Sequence, residues 1–431
     1  MIEFYKEFGE LGYLANYSNH GFTKNGVFYK TVEHYYQSEK FDNPDIKNKI
    51  INALTPKEAS NIGRDRNNKR IENFKDIKNQ VMYDGILEKF RQNRDIAYKL
   101  IETRNKKIAE ATIDEYYWGI GKDKSGKNII GDILVKVRER IKREILENII
   151  DSCIGKEIYV LGHRNPDADS IISSYILSKI LKRLGANAHF AVLSEQYEYC
   201  KNDIKLINDY VKDIPVIVDD VSDKLFVLVD HNNLEGLNTK NVVGAIDHHI
   251  ITGEVYDTLE IEYASTGLLI YDLFRDKYEF NDNEKELIGL SVLADTDYLC
   301  SSRFTLEDKK LFLELDFKLD VEKLQKDYFL INDMSLNIED NLMMNYKEYK
   351  KDYGLVKRSL IHTYTNEYKE YFFDYVNYLE NKKDIFLLIW CDFESKNTYI
   401  WFMGKTYELD YLVTSTNLIF KYLEEKKIAN S

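Results

Sequence analysis

Three apolar runs of strand length, each stopped by histidine and aspartate, constrain this chain more than anything else in it. Residues 158–162 read IYVLG and run into HRNPDAD, 225–232 read LFVLVDHN, and 242–249 read VVGAIDHH. Short continuous apolar runs suit strands buried on both faces of a sheet. Amphipathic patterns at about 170–184, 196–212, 265–277 and 284–294 alternate with these runs and with AHFAVL. That alternation predicts a doubly wound α/β parallel sheet. Ligands of such a sheet bind beyond the carboxyl ends of its strands, near the topological switch point. The sequence gathers His163, Asp167, Asp169, Asp230, His231, Asp247, His248 and His249 at those ends. Asp295 and Asp297 follow in VLADTD, after a helical pattern. Four of the eight histidines fall in this set. Carboxylates mixed with neutral imidazoles suit Mn²⁺ better than a thiolate-seeking ion. One carboxylate can bridge two metals about 3.5–4 Å apart, which activate a water and clamp a phosphoryl oxygen.

The flanking regions read differently. Residues 1–148 carry helical patterns at about 31–42, 45–52, 56–62, 76–92, 95–102 and 131–150, and predict a mainly α-helical α+β domain. In the last pattern Ile133, Leu134, Val137, Ile141, Ile145 and Ile149 recur at helical spacing. The sheet domain is expected at 155–318, and a smaller C-terminal α/β domain at 322–431, with strands in DIFLLIWCDF (384–393) and TYIWFMG (398–404). Within TVEHYYQSEKF, Glu33, Gln37 and Lys40 stand at i, i+4 and i+7, so an acid, an amide and an amine would line one helix face. A turn-rich stretch later supplies Asp114, Trp118, Gly119, Gly121, Asn128 and Gly131, which can bring backbone amides and an aromatic face to a ligand.

Charge and cysteine usage narrow the setting. Lys and Arg number 60 against 73 Asp and Glu, a net charge of −13, which argues against holding nucleic acid by a global positive field. A local basic groove stays open. No apolar run reaches the roughly 18–20 residues of a membrane span, and the start has no signal-peptide pattern. The four cysteines lie far apart and form no CxxC, so a reduced cytoplasmic protein with no membrane partner is expected.

The segments GHRNPDADS, VDHNN, DHH and ADT, in this order, resemble the DHH phosphoesterases, specifically the manganese-dependent family II inorganic pyrophosphatases, over about 156–310. The resemblance implies two Mn²⁺ ions, with Co²⁺ or Mg²⁺ as alternatives. It makes His163 and Asp167 ligands of one ion, Asp169, His248 and Asp295 ligands of the other, and Asp230 the bridge. It also makes His249 a catalytic, substrate-contacting group, places His231 near the substrate, and lets Asp247 orient the pair. The C-terminal unit resembles the DHH-associated domain. That family closes a late Ser-Arg-Lys-Lys segment over the substrate phosphates. This chain lacks it, and Lys357, Arg358 and Lys405 are the nearest cations. The departure implies a changed, bulkier substrate.

The segments YLANYS, GVFYKTVEHYYQSEK, LTPKEASNIGR and WGIGKDKSGKNIIGDIL resemble the NADAR family of YbiA-like N-glycosidases over nearly all of 1–140. Those proteins act on a ribosylamino-pyrimidine of riboflavin biosynthesis or remove ADP-ribose from guanine. The resemblance implies that Lys40 attacks the ribose anomeric carbon to form a Schiff base, with Glu33 as acid–base group. Trp118 would offer a stacking face and Arg64 a phosphate contact. Gln37 and Asn128 would border the substrate, and Asp114 would touch it or brace the WGIG loop. Phe74 departs from the Trp and Arg of many relatives. Together the readings imply a bifunctional hydrolase acting on small-molecule nucleotides, with ADP-ribosylated nucleic acid and a homodimer left open. The alternative is a manganese-dependent inorganic pyrophosphatase with a non-catalytic, ADP-ribose-binding N-terminal regulatory domain.

Overall fold

The computed structural model describes residues 1–250, 255, 257–296, 299, 304–316, 318, 337–344, 346–351, 354–363, 368–392, 395, 397–410 and 416–425. Asp297 and Cys300 lie outside the described residues. The chain divides into two compact units. One is Met1–Cys153 with Val243–Ala245 and His249–Glu262. The other is Ile154–Val242 with Ile246–His248 and Tyr263–Ser431.

The first unit opens with β1 (Ile2–Phe4) and the hairpin β2 (Phe22–Lys24) and β3 (Val27–Tyr29). Asn25 and Gly26 form its turn, both at positive φ (51° and 79°), as a tight hairpin with right-handed strand twist requires. The helices α1 (Val32–Ser38), α2 (Pro44–Asn52) and α3 (Pro56–Arg64) follow, each started by a side-chain cap from Thr31, Asn43 or Thr55. Proline opens α2 and α3, where its missing N–H costs nothing. Then come α4 (Phe74–Gln92), α5 (Arg94–Ile101), β4 (Ile108–Glu110), which pairs in parallel with β1, and α6 (Ile129–Cys153). In α6, Leu146 is buried in the place expected of Ile145, which is half-buried. The helix expected over 31–42 stops at Ser38. Lys40 donates its N–H to the Gln37 carbonyl in a tighter turn and accepts from Ile71 at 2.9 Å.

The second unit holds β5 (Glu157–Leu161), α7 (Ala168–Arg183), β6 (Asn187–Leu193), α8 (Tyr197–Val211), β7 (Val216–Val218) and β8 (Leu225–Val229). With β9 (Val242–Asp247) and β10 (Thr258–Glu260) the strands form a six-stranded sheet in the order β10-β9-β8-β5-β6-β7. The helices α9 (Thr266–Phe274), α10 (Asp282–Asp295) and α11 (Leu306–Glu314) follow. Strand β5 pairs in parallel with β6 on one side and β8 on the other, so the chain reverses its winding there. Helix α12 (Ile338–Met344) and β11 (Tyr346–Lys351), β12 (Gly354–Thr363), α13 (Tyr368–Glu380), β13 (Ile385–Asp392), β14 (Asn397–Phe402), β15 (Lys405–Leu409) and α14 (Thr416–Glu425) complete the chain. Their sheet runs β11-β12-β13-β14-β15, parallel only between β12 and β13. Strand β13 explains the unbroken apolar run. Leu387, Ile389 and Cys391 pack with Ile419 and Phe420 on one face, and Leu388 and Trp390 with Phe372 and Tyr375 on the other.

Candidate active site and metal centre

Helix α1 builds the first site. Glu33 is buried, with its carboxylate gripped on both oxygens. Gln37 Nε2 donates to Oε1 at 2.6 Å, the i+4 contact of a helix, and Asn16 Nδ2 donates to Oε2 at 2.7 Å. Burial pushes the Glu33 carboxyl up against the opposing pull of Gln37. Gly63 of α3 lets this arrangement form, because a β-carbon there would collide with the Gln37 amide. Lys40 is buried with its Nζ 5.0 Å from the Tyr36 ring centre and 5.8 Å from that of Phe74. Burial, and then the positive charges of Arg70 and Arg64, bring its ammonium down to about 8, although Glu33 resists. A lysine in that range is a nucleophile near neutral pH. Trp118 packs edge-on to Tyr36 at 5.6 Å.

The structure thus brings Glu33, Gln37, Lys40 and Trp118 into one neighbourhood, but Lys40 stands past the helix end rather than on its face. Arg64 is exposed at the end of α3. Asp114 is exposed, and Glu115 is the brace of the WGIG loop, accepting from the Tyr117 and Trp118 N–H groups at 3.1 Å each. Asn128, at φ 53°, spends its amide on the backbone of β4. It donates to the Ile108 carbonyl at 2.8 Å and accepts from the Glu110 N–H at 3.1 Å. Its side chain shapes the loop.

The second site lies where β5, β8 and β9 end. Asp230, just past β8, has a left-handed φ of 64° and donates its N–H to the Ile246 carbonyl. Its Oδ2 lies 3.3 Å from His163 Nε2 and its Oδ1 3.2 Å from His248 Nε2. Three groups of potential ligands among the described residues therefore share it: His163, Asp167 and Asp230; Asp169, Asp230, His248 and Asp295; and Asp230, His248 and the exposed His249. In each, the ligand atoms lie within 4.8 Å of one another. His163 and Asp167 are 3.6 Å apart, and His248 is 3.1 Å from Asp295 and 4.0 Å from Asp169. Asp167 also caps α7 through Oδ1, which accepts from the Ser170 N–H at 3.1 Å. The start of α9 anchors Asp169 through the Thr266 and Gly267 N–H groups at 2.7 and 3.0 Å, and the Thr266 hydroxyl donates to Asp230 at 3.1 Å.

These residues fit divalent cations. Burial, and then the charges of Asp230 and Asp295, push Asp169 far above its usual range, and His248 offsets that crowding only in part. The Nδ1 of His248 meets the Tyr263 carbonyl at 3.0 Å, the kind of contact that orients a ligating imidazole. Asn232 donates to Asp247 at 2.6 Å and fixes that buried acid behind the histidines. His231 is buried, its Nδ1 3.0 Å from the Val229 carbonyl, and His249 is exposed. Of the three cations nearest in role to the missing closing segment, Lys357 pairs with Asp384 at 2.9 Å, Arg358 is buried in β12 and Lys405 is exposed.

Residues that sequence reasoning passed over include Asn16, Arg70, Glu115, Asn232 and Thr266. Asn16 sits inside YLANYS, and Thr266 follows Ser265 at a helix start, so both carried a local signal. Arg70 carried none beyond its charge. A hollow of about 630 Å³ between α4 and α6, lined by Tyr83, Ile129, Asp132 and Arg140 among others, contains no residue of either site.

Comparison with known proteins gives separate matches to two parts of the chain. The NADAR domain model matches residues 3–142, and the model of the DHH family N-terminal domain matches residues 157–295. The chain is 35% identical over 144 residues to an N-glycosidase of Nostoc punctiforme, covering 33% of this chain and 92% of that protein. It is 31% identical over 144 residues to the N-glycosidase YbiA of Escherichia coli, covering 33% of this chain and 90% of that one. A solved structure of a Methanococcus jannaschii protein described as a putative family II inorganic pyrophosphatase is similar at 19% identity and a TM-score of 0.46, over 62% of this chain and 98% of that one. Residues 157–295 match the DHH family N-terminal domain, and through its first 142 or so residues the chain belongs to the NADAR family.

Proposed function

We propose that the chain is a bifunctional hydrolase: an N-glycosidase that releases ADP-ribose or a ribose phosphate from a base, guanine in the first instance, and a divalent-metal phosphohydrolase that cleaves a phosphoanhydride or phosphoester. The observation that carries this reading is that each unit gathers a set of reactive or ligand-type side chains of its own. One has a buried lysine tuned to about 8 with a buried glutamate acting on its charge, and the other has Asp230 shared among three ligand groups.

In the first site the neutral Lys40 amine attacks the anomeric carbon. The bond to the base nitrogen breaks, and Glu33 delivers the proton that the departing base needs. Ring opening leaves an imine on Lys40, and water then releases the sugar and restores the amine. Trp118 supports the ligand's ring face, and Arg64 takes a phosphate.

In the second site His163, Asp167 and Asp230 would hold one cation, and Asp169, Asp230, His248 and Asp295 the other, with Mn²⁺ favoured by the oxygen-rich, thiolate-free set. Bound there, such a pair supplies an activated water and neutralises phosphoryl oxygens. His249 contacts the phosphate, His231 lies close by, and Asp247 keeps the histidines oriented.

The test is mass spectrometry of products from ADP-ribosyl-guanosine, with and without Mn²⁺, beside a pyrophosphate control. Release of ADP-ribose without added metal and further breakdown only with Mn²⁺ is the expected result. Rapid loss of pyrophosphate with no glycosidic cleavage would instead make the chain a regulated pyrophosphatase.

A further inference from the structure

Neither set of reacting residues uses Lys89, yet this residue of α4 is wholly buried. Among the described residues its ammonium forms no ion pair. Its Nζ donates to the carbonyls of Tyr13 at 2.6 Å and Ala15 at 3.0 Å, and to the hydroxyl of Ser18 at 3.1 Å. Three donors thus meet three acceptors, all on one short loop more than seventy residues away along the chain. Burial among neutral partners brings its ammonium down to about 7, so keeping this amine here is costly.

The loop shows why it is kept. Asn16 lies between the pinned residues. Its carbonyl accepts from the Glu33 N–H at 3.0 Å, and its side chain donates to Glu33 Oε2 at 2.7 Å. The neighbouring Tyr17 feels the Glu33 charge as well, which raises its hydroxyl after burial has done so. We propose that Lys89 is a positioning residue of the glycosidic site: it pins the 13–18 loop so that Asn16 holds the Glu33 carboxylate in its working orientation. The proposal rests on reading Glu33 as the acid–base group.

The test uses the full chain and two readouts, turnover of ADP-ribosyl-guanosine and titration of the Glu33 carboxyl by ¹³C NMR. In Lys89→Met, kcat falls about 100-fold, the scale expected when a reacting group is misplaced from a distance, while KM stays near its starting value. The Glu33 titration moves up, because the carboxylate has lost a donor that favoured its charged form. Asn16→Ala reproduces both effects, and the double variant is no worse than either single one. Ser18→Ala removes one acceptor without emptying the core. It gives a smaller change of the same sign, and it carries the test if Lys89→Met does not fold. An unmoved Glu33 titration in the folded variants, or additive losses in the double variant, overturns the proposal. The titration is read whether or not the chain turns over. A chain that cleaves no glycoside but still shows the shift refutes the glycosidase and leaves Lys89 as the anchor of Glu33.

Discussion

The two sites set their ionisable groups by opposite means. Around Lys40 the neighbours are aromatic rings and two arginines, so burial and positive charge move one amine toward neutrality. Around Asp230 acids press on acids, and burial and like charge leave the group with a demand for cations that the protein meets only in part with His163 and His248. The first arrangement supplies its own opposing charges, and the second is a ligand set of the kind that a divalent cation completes. On the proposed reading, reactivity is tuned inside the chain in one case and imported in the other.

Chelation tests that contrast most directly. EDTA should bring phosphoryl hydrolysis to background and leave N-glycoside cleavage untouched. Loss of both activities would break the comparison. Asp230→Asn should abolish phosphate release, because it removes the charge common to all three ligand groups, and calorimetry should show Mn²⁺ affinity falling with it. On the other side, Lys40→Ala should end glycoside cleavage and the borohydride-trapped adduct that the intact chain forms. Glu33→Gln should slow the reaction by about 10²–10⁴, the usual contribution of a positioned proton donor, as measured by steady-state kinetics. More gently, Asn232→Ala should weaken metal binding about 10- to 100-fold by freeing Asp247. The smallest expected effect is the most specific. The rate of glycoside cleavage should rise as pH passes through about 8, where Lys40 loses its proton. Arg70→Gln removes a repelling cation, so the Lys40 amine holds its proton more tightly and the limb moves to higher pH. A limb that stays in place would mean that burial alone tunes the lysine.

Much of this was legible in the sequence, for physical reasons. Helices α2, α3, α5 and α6 declared themselves by 3.6-residue periodicity and proline or polar starts, and β5, β8 and β9 by apolar runs that suit a strand buried on two faces. Strands β7 and β10 did not, because three residues at a sheet edge leave no pattern to read. The residues ending the strands announced a constellation because ligand chemistry needs uncommon residue types. What supports them was silent: backbone amides such as those of Thr266 and Gly267 have no letter of their own. Helical spacing placed Lys40 on the wall of α1, and a tighter turn with Ile71 bound to its carbonyl put it beyond the helix instead. Asn128 looked like a ligand contact because asparagine suits such loops. The structure adds a second use for it: its φ is left-handed and its amide binds the backbone of β4.

The positive φ of Asp230 has a consequence for how such a domain can drift. The backbone there admits few side chains comfortably, chiefly glycine, asparagine and aspartate. Of these, only aspartate offers the carboxylate that the two proposed cations would share. A gene copy released from selection for metal should therefore pass first to asparagine or glycine at this position, since both spare the fold. Either letter, found in a descendant whose neighbouring sequence is intact, marks a lineage that kept the architecture and gave up the chemistry.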